Sequence, residues 1–347
     1  MPEKISQDKK TSKKYYHAAI LITAILSIAC HESTAQSTWT TNDDAAHNIV
    51  WEEKLWRRIS FLSSPICEGR ATGSRGGNEA AFWIVRTFRE AGLLAFGGSY
   101  AQHLYAGQGT VGHNIVGMIP GSKKHPCPSY IIVGAHYDHL GTLRGKLYPG
   151  ADSNASGTVA VTALAEMFSA MKLLGKAYGT SIIFVAFDAN RMNMAGSGAF
   201  WRMIETGQMA DPLTGDVITP DKIRLMVNID QIGSTLSPTE PGNRDYMIML
   251  GNESLPGQMQ GLAAMCNRFY GTDLSLSYTY YGSEEFTRIF RMLSDQKIFI
   301  ENGIPAVLFT SGITLNNNKT SDTPGTLDME VLRKRILLIF HWIEKLL

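Results

Sequence analysis

Two kinds of apolar segment alternate along the chain. Short apolar runs predict buried strands at residues 102–105, 114–118, 130–135, 181–187, 222–230, 246–250 and 306–310. Longer segments with helical periodicity predict helices at residues 45–63, 77–92, 156–171, 196–206, 256–269 and 326–346. Because strands alternate with helices, the pattern predicts an α/β fold: a mostly parallel, mixed sheet covered by helices on both faces.

The first 35 residues resemble an export signal. Residues 4–14 are basic, residues 17–29 are apolar but too few to span a membrane, and the small residues 33–35 precede Gln36 as a cleavage site. A lipoprotein signal that ends before Cys30 is the alternative, although its lipobox is imperfect. We therefore expect an exported protein, periplasmic or extracellular, with residues 36–347 as one domain.

The net charge, the apolar segments and the cysteines limit the partners and the bonds that we expect. The formal net charge is +1, which gives no reason to expect nucleic acid or an anionic membrane as a partner. No segment after the signal is long and apolar enough to cross a membrane. Once Cys30 is set aside, Cys67, Cys127 and Cys266 form an odd set, in which Cys67 and Cys127 could pair and at least one thiol is expected to be free and buried.

Candidate chemistry begins where the strand at residues 130–135 ends. His136 and Asp138 follow that strand directly, at the sheet edge where α/β proteins bind ligands. Asp138 is placed to hold one ring nitrogen of His136, which would orient the imidazole as a metal ligand. Asp152 precedes the next helix, a position that suits an anion coordinating a cation. Taken separately, His136 could instead be a core histidine, and Asp152 could be an N-capping aspartate.

Seven short motifs in order resemble the dizinc aminopeptidase-like exopeptidase family, whose relatives include glutaminyl cyclases and the transferrin-receptor ectodomain. They extend over most of the chain, at residues 61–92, 113–121, 134–141, 150–157, 227–233, 303–306 and 321–324. The resemblance implies the zinc-exopeptidase fold. It also implies that residues matching His136, Asp152 and Asp230 hold one zinc ion.

The sequence departs from the family at the positions of the general base and of the ligands of the second zinc. After the strand at residues 181–187 the family has a Glu-Glu pair, a general base followed by a ligand of the second zinc; this chain has Asn190 and Arg191. Asn318 stands in place of the family's ligand histidine, and Gln296 in place of another histidine. An amide oxygen is a poor zinc ligand, and a guanidinium cannot bind a cation. We therefore expect at most one zinc ion per chain, with no zinc as the alternative.

Arg191 carries the sharpest structural expectation. Its fixed positive charge would lie about where the second zinc would be, with Asp152 as its hydrogen-bonded partner. Alternatively, Asn190 and Arg191 point to solvent.

The missing base predicts a protein that hydrolyses peptides weakly or not at all, since loss of a positioned base lowers a rate about 10²- to 10⁴-fold. We expect the cleft to bind a peptide or another ligand with an amino group. The alternative is an active aminopeptidase or amidohydrolase with one zinc and a recruited base, for which Asp188, Glu284 and Glu285 are the nearby carboxylates. Cyclase-like acyl transfer is disfavoured, because the resembling cyclases bind zinc through the replaced Glu and His.

Overall fold

A nine-stranded mixed sheet forms the centre of residues 46–347. The structure is a computed structural model and describes residues 40–107, 109–122 and 129–347. The predicted signal at residues 1–35, with Cys30, and the cysteine at position 127 lie outside the described residues, so export, lipidation and the pairing of Cys67 with Cys127 stay predictions.

The sheet strands run in the order β1-β3-β7-β4-β8-β11-β9-β10, and β2 pairs with β3. β4, β7, β8 and β11 are parallel to one another, whereas β3 and β9 run antiparallel to their neighbours β7 and β11. A separate hairpin contains β5 and β6. The strands are β1 Leu94–Ala95, β2 Ala101–Tyr105, β3 Val111–Ile119, β4 Tyr130–His136, β5 Thr142–Leu143, β6 Lys146–Leu147, β7 Ser181–Phe187, β8 Ile223–Ile229, β9 Tyr246–Leu250, β10 Ser275–Ser277 and β11 Ala306–Thr310.

Helices connect these strands and cover the sheet. They are α1 Thr40–His47, α2 Glu52–Leu62, α3 Arg75–Glu90, α4 Gly157–Leu173, α5 Ala195–Glu205, α6 Gly257–Gln260, α7 Leu262–Phe269, α8 Glu284–Phe290, α9 Lys297–Glu301 and α10 Met329–Leu346. No helix in the described part of the chain is both long and apolar enough for a membrane crossing.

The core has a layer on each face of the sheet, and β4 contributes to both. Ile131 and Val133 pack into a large cluster with residues of α2, α3, α4 and α10, whereas Tyr130 and Ile132 pack into a second cluster with residues of α5 and α9. This alternation follows from the two-residue side-chain period of a strand. Since both faces are covered, all seven residues of β4 are buried, which explains its continuous apolar sequence. The predicted α/β fold class is confirmed.

Two predicted helices are interrupted, and the helix α8 was not predicted. The segment predicted as helix at residues 45–63 contains a 3-10 turn at Asn48–Val50 and extended backbone at Trp51. The segment at residues 256–269 divides at Gly261 into α6 and α7. The third correction is α8, which begins after Ser283, whose hydroxyl accepts a hydrogen bond from the Phe286 backbone N–H. At seven residues, α8 has too few turns to show a clear period in the sequence.

Candidate active-site cleft

His136 ends the central strand β4 and is almost completely buried. Its Nδ1 lies 3.0 Å from the backbone carbonyl oxygen of Asp138, to which it donates in the corresponding tautomer, and 3.5 Å from the Asp138 carboxylate. Its Nε2 lies 3.5 Å from Oδ1 of Asp230, which follows β8. Burial lowers the pKa of His136, but Asp230 and Asp138 outweigh burial and raise it to about 10. The two carboxylates therefore favour a cation at this point of the cleft.

Asp138 joins the end of β4 to the loop that follows β7. Its two carboxylate oxygens each accept one backbone N–H, from Asn190 and from Arg191, both at 3.0 Å. Asp138 contacts Nδ1 of His136 more closely through its main-chain carbonyl than through its carboxylate. The carboxylate instead fixes the loop on which the family's base and zinc ligand would lie.

Asn190 directs its side chain toward a carboxylate that the sequence reasoning missed. Its Nδ2 donates to Oδ2 of Asp295 at 2.9 Å. Asp295 is fully buried, its Oδ1 has no described hydrogen-bond partner, and burial raises its pKa to about 6. The sequence Ser294-Asp295-Gln296 indicated only a missing histidine, because nothing local shows that Asp295 faces the loop after β7.

The predicted contact between Arg191 and Asp152 is wrong. Nη2 of Arg191 donates to the Ser153 hydroxyl at 2.6 Å and lies 3.4 Å from Nδ1 of His139. Among the described ion pairs, none joins Arg191 to Asp152. The Arg191 side chain does not extend into bulk solvent either, since its Nε is buried.

Asp152 is turned away from Arg191 by the turn that contains it, Ala151–Ser156. Its Oδ1 accepts the backbone N–H of Gly233 at 2.7 Å and the hydroxyl of Ser156 at 3.1 Å, while its Oδ2 is buried without a described partner. The carboxylate of Asp322 accepts the backbone N–H groups of Asp152 and Ser153 at 2.8 and 3.1 Å. Burial and the charge of Asp322 raise the pKa of Asp152 to about 7.

A cavity of about 200 Å³ lies over these residues. His136, Asn190, Arg191, Asp230 and Asn318 all line it, so the structure brings most of the predicted site together, while Asp138 and Asp152 are buried and are not part of the lining. Its other lining residues include polar groups without charge and apolar side chains, which are Gln231, Ser294, Thr310, Asn317, Phe290, Leu293, Leu308 and Ile313. The cavity therefore offers hydrogen-bonding groups, charged groups of both signs and an apolar wall within the space of a small ligand.

Tyr280, in the aromatic segment at residues 278–281, contacts two residues of this apolar wall. Tyr280 stacks on Phe290, with ring centroids 3.8 Å apart, and its hydroxyl accepts the backbone N–H of Ile313 at 3.2 Å. The loop at residues 234–245 contributes no lining residue to this cavity. The apolar part of the cavity wall comes from the end of α8 and the residues after it, and from β11 and the residues after it.

The residues fit one cation better than two. The buried, unpartnered oxygens Asp152 Oδ2 and Asp230 Oδ1, with Nε2 of His136 beside the latter, are a donor set that a divalent ion would complete. In the described chain, however, no three His, Cys, Asp or Glu side chains already converge on a metal-binding point. At the second position, the residues that match the family's base and ligands are Asn190, Arg191 and Asn318, and none of these three has a carboxylate or an imidazole. A single ion could therefore bind only if the side chains of His136, Asp152 and Asp230 moved closer together.

The substitute bases named from the sequence lie elsewhere. Asp188 follows β7 and accepts hydrogen bonds from Thr72, Tyr137 and the backbone of His113. Glu284 and Glu285 form the first turn of α8. Asp295 is the carboxylate nearest to the place of the missing base, through its bond to Asn190.

The profile of peptidase family M28 matches residues 114–343, well over half of the chain. The chain belongs to peptidase family M28. Solved structures with the same fold include LapB from Legionella pneumophila, with a TM-score of 0.65, 19% identity, and coverage of 87% of this chain and 74% of that one. BSAP, a zinc aminopeptidase from Bacillus subtilis, has a TM-score of 0.63, 14% identity, and coverage of 86% and 95%.

A glutaminyl cyclase from Porphyromonas gingivalis also has this fold, with a TM-score of 0.62, 14% identity, and coverage of 86% of this chain and 99% of that one. No curated protein matches the sequence. At these identities the solved structures show the fold of this M28 chain. The departures at Asn190, Arg191 and Asn318 therefore have to be interpreted from the chain's own geometry.

Proposed function

We propose that this M28 protein is exported and binds a peptide or another amino-group ligand in its cleft with little or no hydrolysis. The observation that carries the proposal is the loop after β7. There, Asp138 fixes the backbone of both Asn190 and Arg191, so that an amide and a guanidinium stand where hydrolysis needs a base and a second Lewis acid. Neither side chain can accept a proton from water at neutral pH.

The cleft keeps features that suit binding. A protonated amine can pair with Asp230, which lines the cavity, while the guanidinium of Arg191 can donate to a peptide carbonyl or carboxylate. Phe290, Leu293 and Ile313 would receive an apolar side chain. If one divalent ion binds, His136, Asp152 and Asp230 would hold it, and it would polarise a bound carbonyl.

Turnover and binding are measured on the same preparation. We expect leucine p-nitroanilide with added zinc or cobalt to give no hydrolysis above a buffer blank, while calorimetry with leucyl-glycine shows saturable binding. Elemental analysis after zinc loading should give a stoichiometry of one or below. Family-like hydrolysis, or two firmly held zinc ions per chain, would contradict the proposal.

A gain-of-function variant tests the assignment of the lost ligands. The triple substitution Asn190→Glu, Arg191→Glu and Asn318→His should raise zinc stoichiometry, because it restores two carboxylates and an imidazole beside Asp152. The matched control is Asn190→Gln, Arg191→Lys and Asn318→Gln, which changes the same positions without adding a ligand. Equal zinc content in both variants would show that these positions do not form the second site.

An active enzyme with one zinc remains the second candidate, and Asp295 favours it. This carboxyl is buried, has a pKa raised by burial to about 6, and contacts Asn190, so it is the best-placed recruited base. If zinc-loaded wild-type protein hydrolyses an aminoacyl substrate and Asp295→Asn removes that activity with unchanged zinc content, the second candidate is correct. Activity that survives Asp295→Asn would exclude this base.

Export has its own test. Mass spectrometry of the protein from its native host should show a mature chain that begins at Gln36, or a lipid-modified chain that begins at Cys30. A chain that retains its first residues would contradict export through this signal.

A further inference from the structure

The outer edge of β2 lies at the border of the sheet, since β2 pairs with β3 and with no other described strand. Two backbone bonds flank this pairing: the Val116 N–H donates to the Tyr100 carbonyl at 2.7 Å, and the Ala106 N–H donates to the Thr110 carbonyl at 2.9 Å. Because hydrogen-bonded pairs alternate along an antiparallel ladder, the even-numbered residues of β2 bond to β3. The backbone groups of its odd-numbered residues therefore face outward.

Two of these outward-facing residues have an open backbone. The hydroxyl of Ser99 accepts the N–H of Ala101 and donates to its carbonyl, both at 3.1 Å. In the part of the chain that the structure describes, the outward N–H and carbonyl groups of His103 and Tyr105 have no comparable bond. An open edge is a template for another strand, and proteins usually protect it with charged residues or proline. β2 contains no proline, lysine or acidic residue, so it lacks this protection.

A cavity of about 460 Å³ lies beside this open edge, and residues of β2 and α5 line it. Asn114 on β3 donates to the Gly196 carbonyl of α5, and its partner on β2 is Gln102, so the even-numbered residues of β2 face α5. The His103 ring points to the opposite face, yet His103 borders the cavity. It is therefore the backbone edge that the cavity exposes.

The lining of this cavity indicates which strand would fit. Met192, Met194 and Met203 are half-buried, and their flexible thioether side chains suit apolar groups of different shapes. Arg202 is exposed on α5 and belongs to no ion pair among the described residues. No carboxylate lines the cavity. A strand with an acidic side chain between apolar ones would therefore complement this surface in shape and charge.

A second copy of β2 does not have this chemistry. Residues 91–120, which include β1, β2 and β3, contain no aspartate or glutamate, so an edge-to-edge dimer would bring no carboxylate to Arg202. We propose that β2 binds an extended, acidic segment of another polypeptide by strand addition. Main-chain bonds to His103 and Tyr105 provide affinity, and the alternate side chains that face α5 provide specificity. This surface is separate from the cleft around His136.

Fluorescence anisotropy with a labelled pentapeptide, Val-Thr-Glu-Thr-Val, measures strand addition. Both ends of this probe are blocked, so it has no free amino group for the cleft, and leucyl-glycine should not compete with it. Wild-type protein should bind the probe saturably. Tyr105→Pro should weaken binding about five- to tenfold, because proline removes an outward N–H that β3 does not use. Tyr105→Thr is the matched control: it changes the same exposed side chain, keeps the N–H and should bind nearly as wild type does.

The charge is tested with Arg202→Gln. This variant should bind the probe about two- to fivefold more weakly. It should bind Val-Thr-Gln-Thr-Val as wild type does, whereas a structural defect would weaken both peptides equally. Arg268→Gln, at an exposed arginine of α7, should affect neither peptide.

Three outcomes overturn the proposal. They are the absence of saturable binding, equal affinities of folded Tyr105→Pro and Tyr105→Thr proteins, and a dimer in sedimentation velocity that Tyr105→Pro dissociates. The last would assign the edge to a second copy. Circular dichroism establishes that both variants are folded. Binding of leucyl-glycine in the cleft should persist in Tyr105→Pro, so this proposal and the proposed function can fail separately.

Discussion

Replacing Arg70 by methionine should destabilise the fold more than any surface substitution. Arg70 is fully buried, and its guanidinium donates only to backbone carbonyl oxygens. Nε donates to Tyr137 at 2.7 Å, Nη1 to Leu62 at 2.6 Å and to Pro149 at 2.8 Å, and Nη2 to Gly150 at 2.8 Å. Burial lowers the pKa of Arg70 to about 10, so the side chain stays charged at neutral pH. One side chain thus bonds to four carbonyl groups on three separate backbone segments.

The magnitude follows from what the substitution leaves behind. Methionine has a similar length but no donor, so four buried carbonyl groups lose a charged partner. Each orphaned group costs about 1–3 kcal/mol, which gives an upper limit, because removal of a buried charge also recovers desolvation energy. Four such groups would sum to roughly 4–12 kcal/mol, and because the recovered desolvation energy reduces this sum, we expect a loss of about 3–5 kcal/mol. This is a large part of the roughly 5–15 kcal/mol by which domains are stable.

Urea unfolding followed by tryptophan fluorescence measures the loss. Arg57→Met is the matched control: Arg57 is exposed and pairs only with Glu53 one helical turn away, so its removal should change the free energy of unfolding by less than about 0.5 kcal/mol. Tyr137 directly follows His136, and Gly150 lies two residues before Asp152. A folded Arg70→Met protein should therefore also bind cleft ligands more weakly. Equal unfolding midpoints for Arg70→Met and wild type would refute the reasoning.

Two glycines on α5 should respond in opposite directions to alanine. A Cβ on Gly196 would lie 2.0 Å from the carbonyl oxygen of Asp188, whereas one on Gly198 would meet nothing within 4 Å. In thermal unfolding, Gly196→Ala should lower the free energy of unfolding by at least about 1–3 kcal/mol, because the added methyl group overpacks the site. Gly198→Ala should raise it by about 0.5–1 kcal/mol, because alanine has the higher helix propensity. A Gly196→Ala protein as stable as wild type would contradict the packing. Burial raises the pKa of the Cys266 thiol from 9.0 to about 11, so its stabilising contribution is complete below pH 9.0 and is lost as the pH rises toward 11. The pH dependence of unfolding in wild type and Cys266→Val checks this sign, and identical slopes would refute it.

The sequence determined the elements and the chemical type of the site. The apolar runs located β4, β7, β8, β9 and β11 to within a residue or two, because a buried strand needs apolar residues locally whatever its partners are. The same local patterns placed His136 and Asp230 after neighbouring parallel strands, and the carboxyl ends of such strands meet at one edge of a sheet. The proposal that Asn190 replaces the family's base also comes from the sequence, since it depends on residue identity alone.

Only the tertiary structure decided which side chains meet. Arg191 bonds to Ser153 rather than Asp152 because Gly233 and Ser156, one of them distant in the chain, already turn the Asp152 carboxylate inward. The contact of Asn190 with Asp295 joins residues more than a hundred positions apart, and no local period records it. The pairing of His103 with His113 depends on strand register, since a shift of one residue would move a histidine to the opposite face. Side-chain direction and register result from packing between distant segments, and the sequence specifies them only through the complete fold.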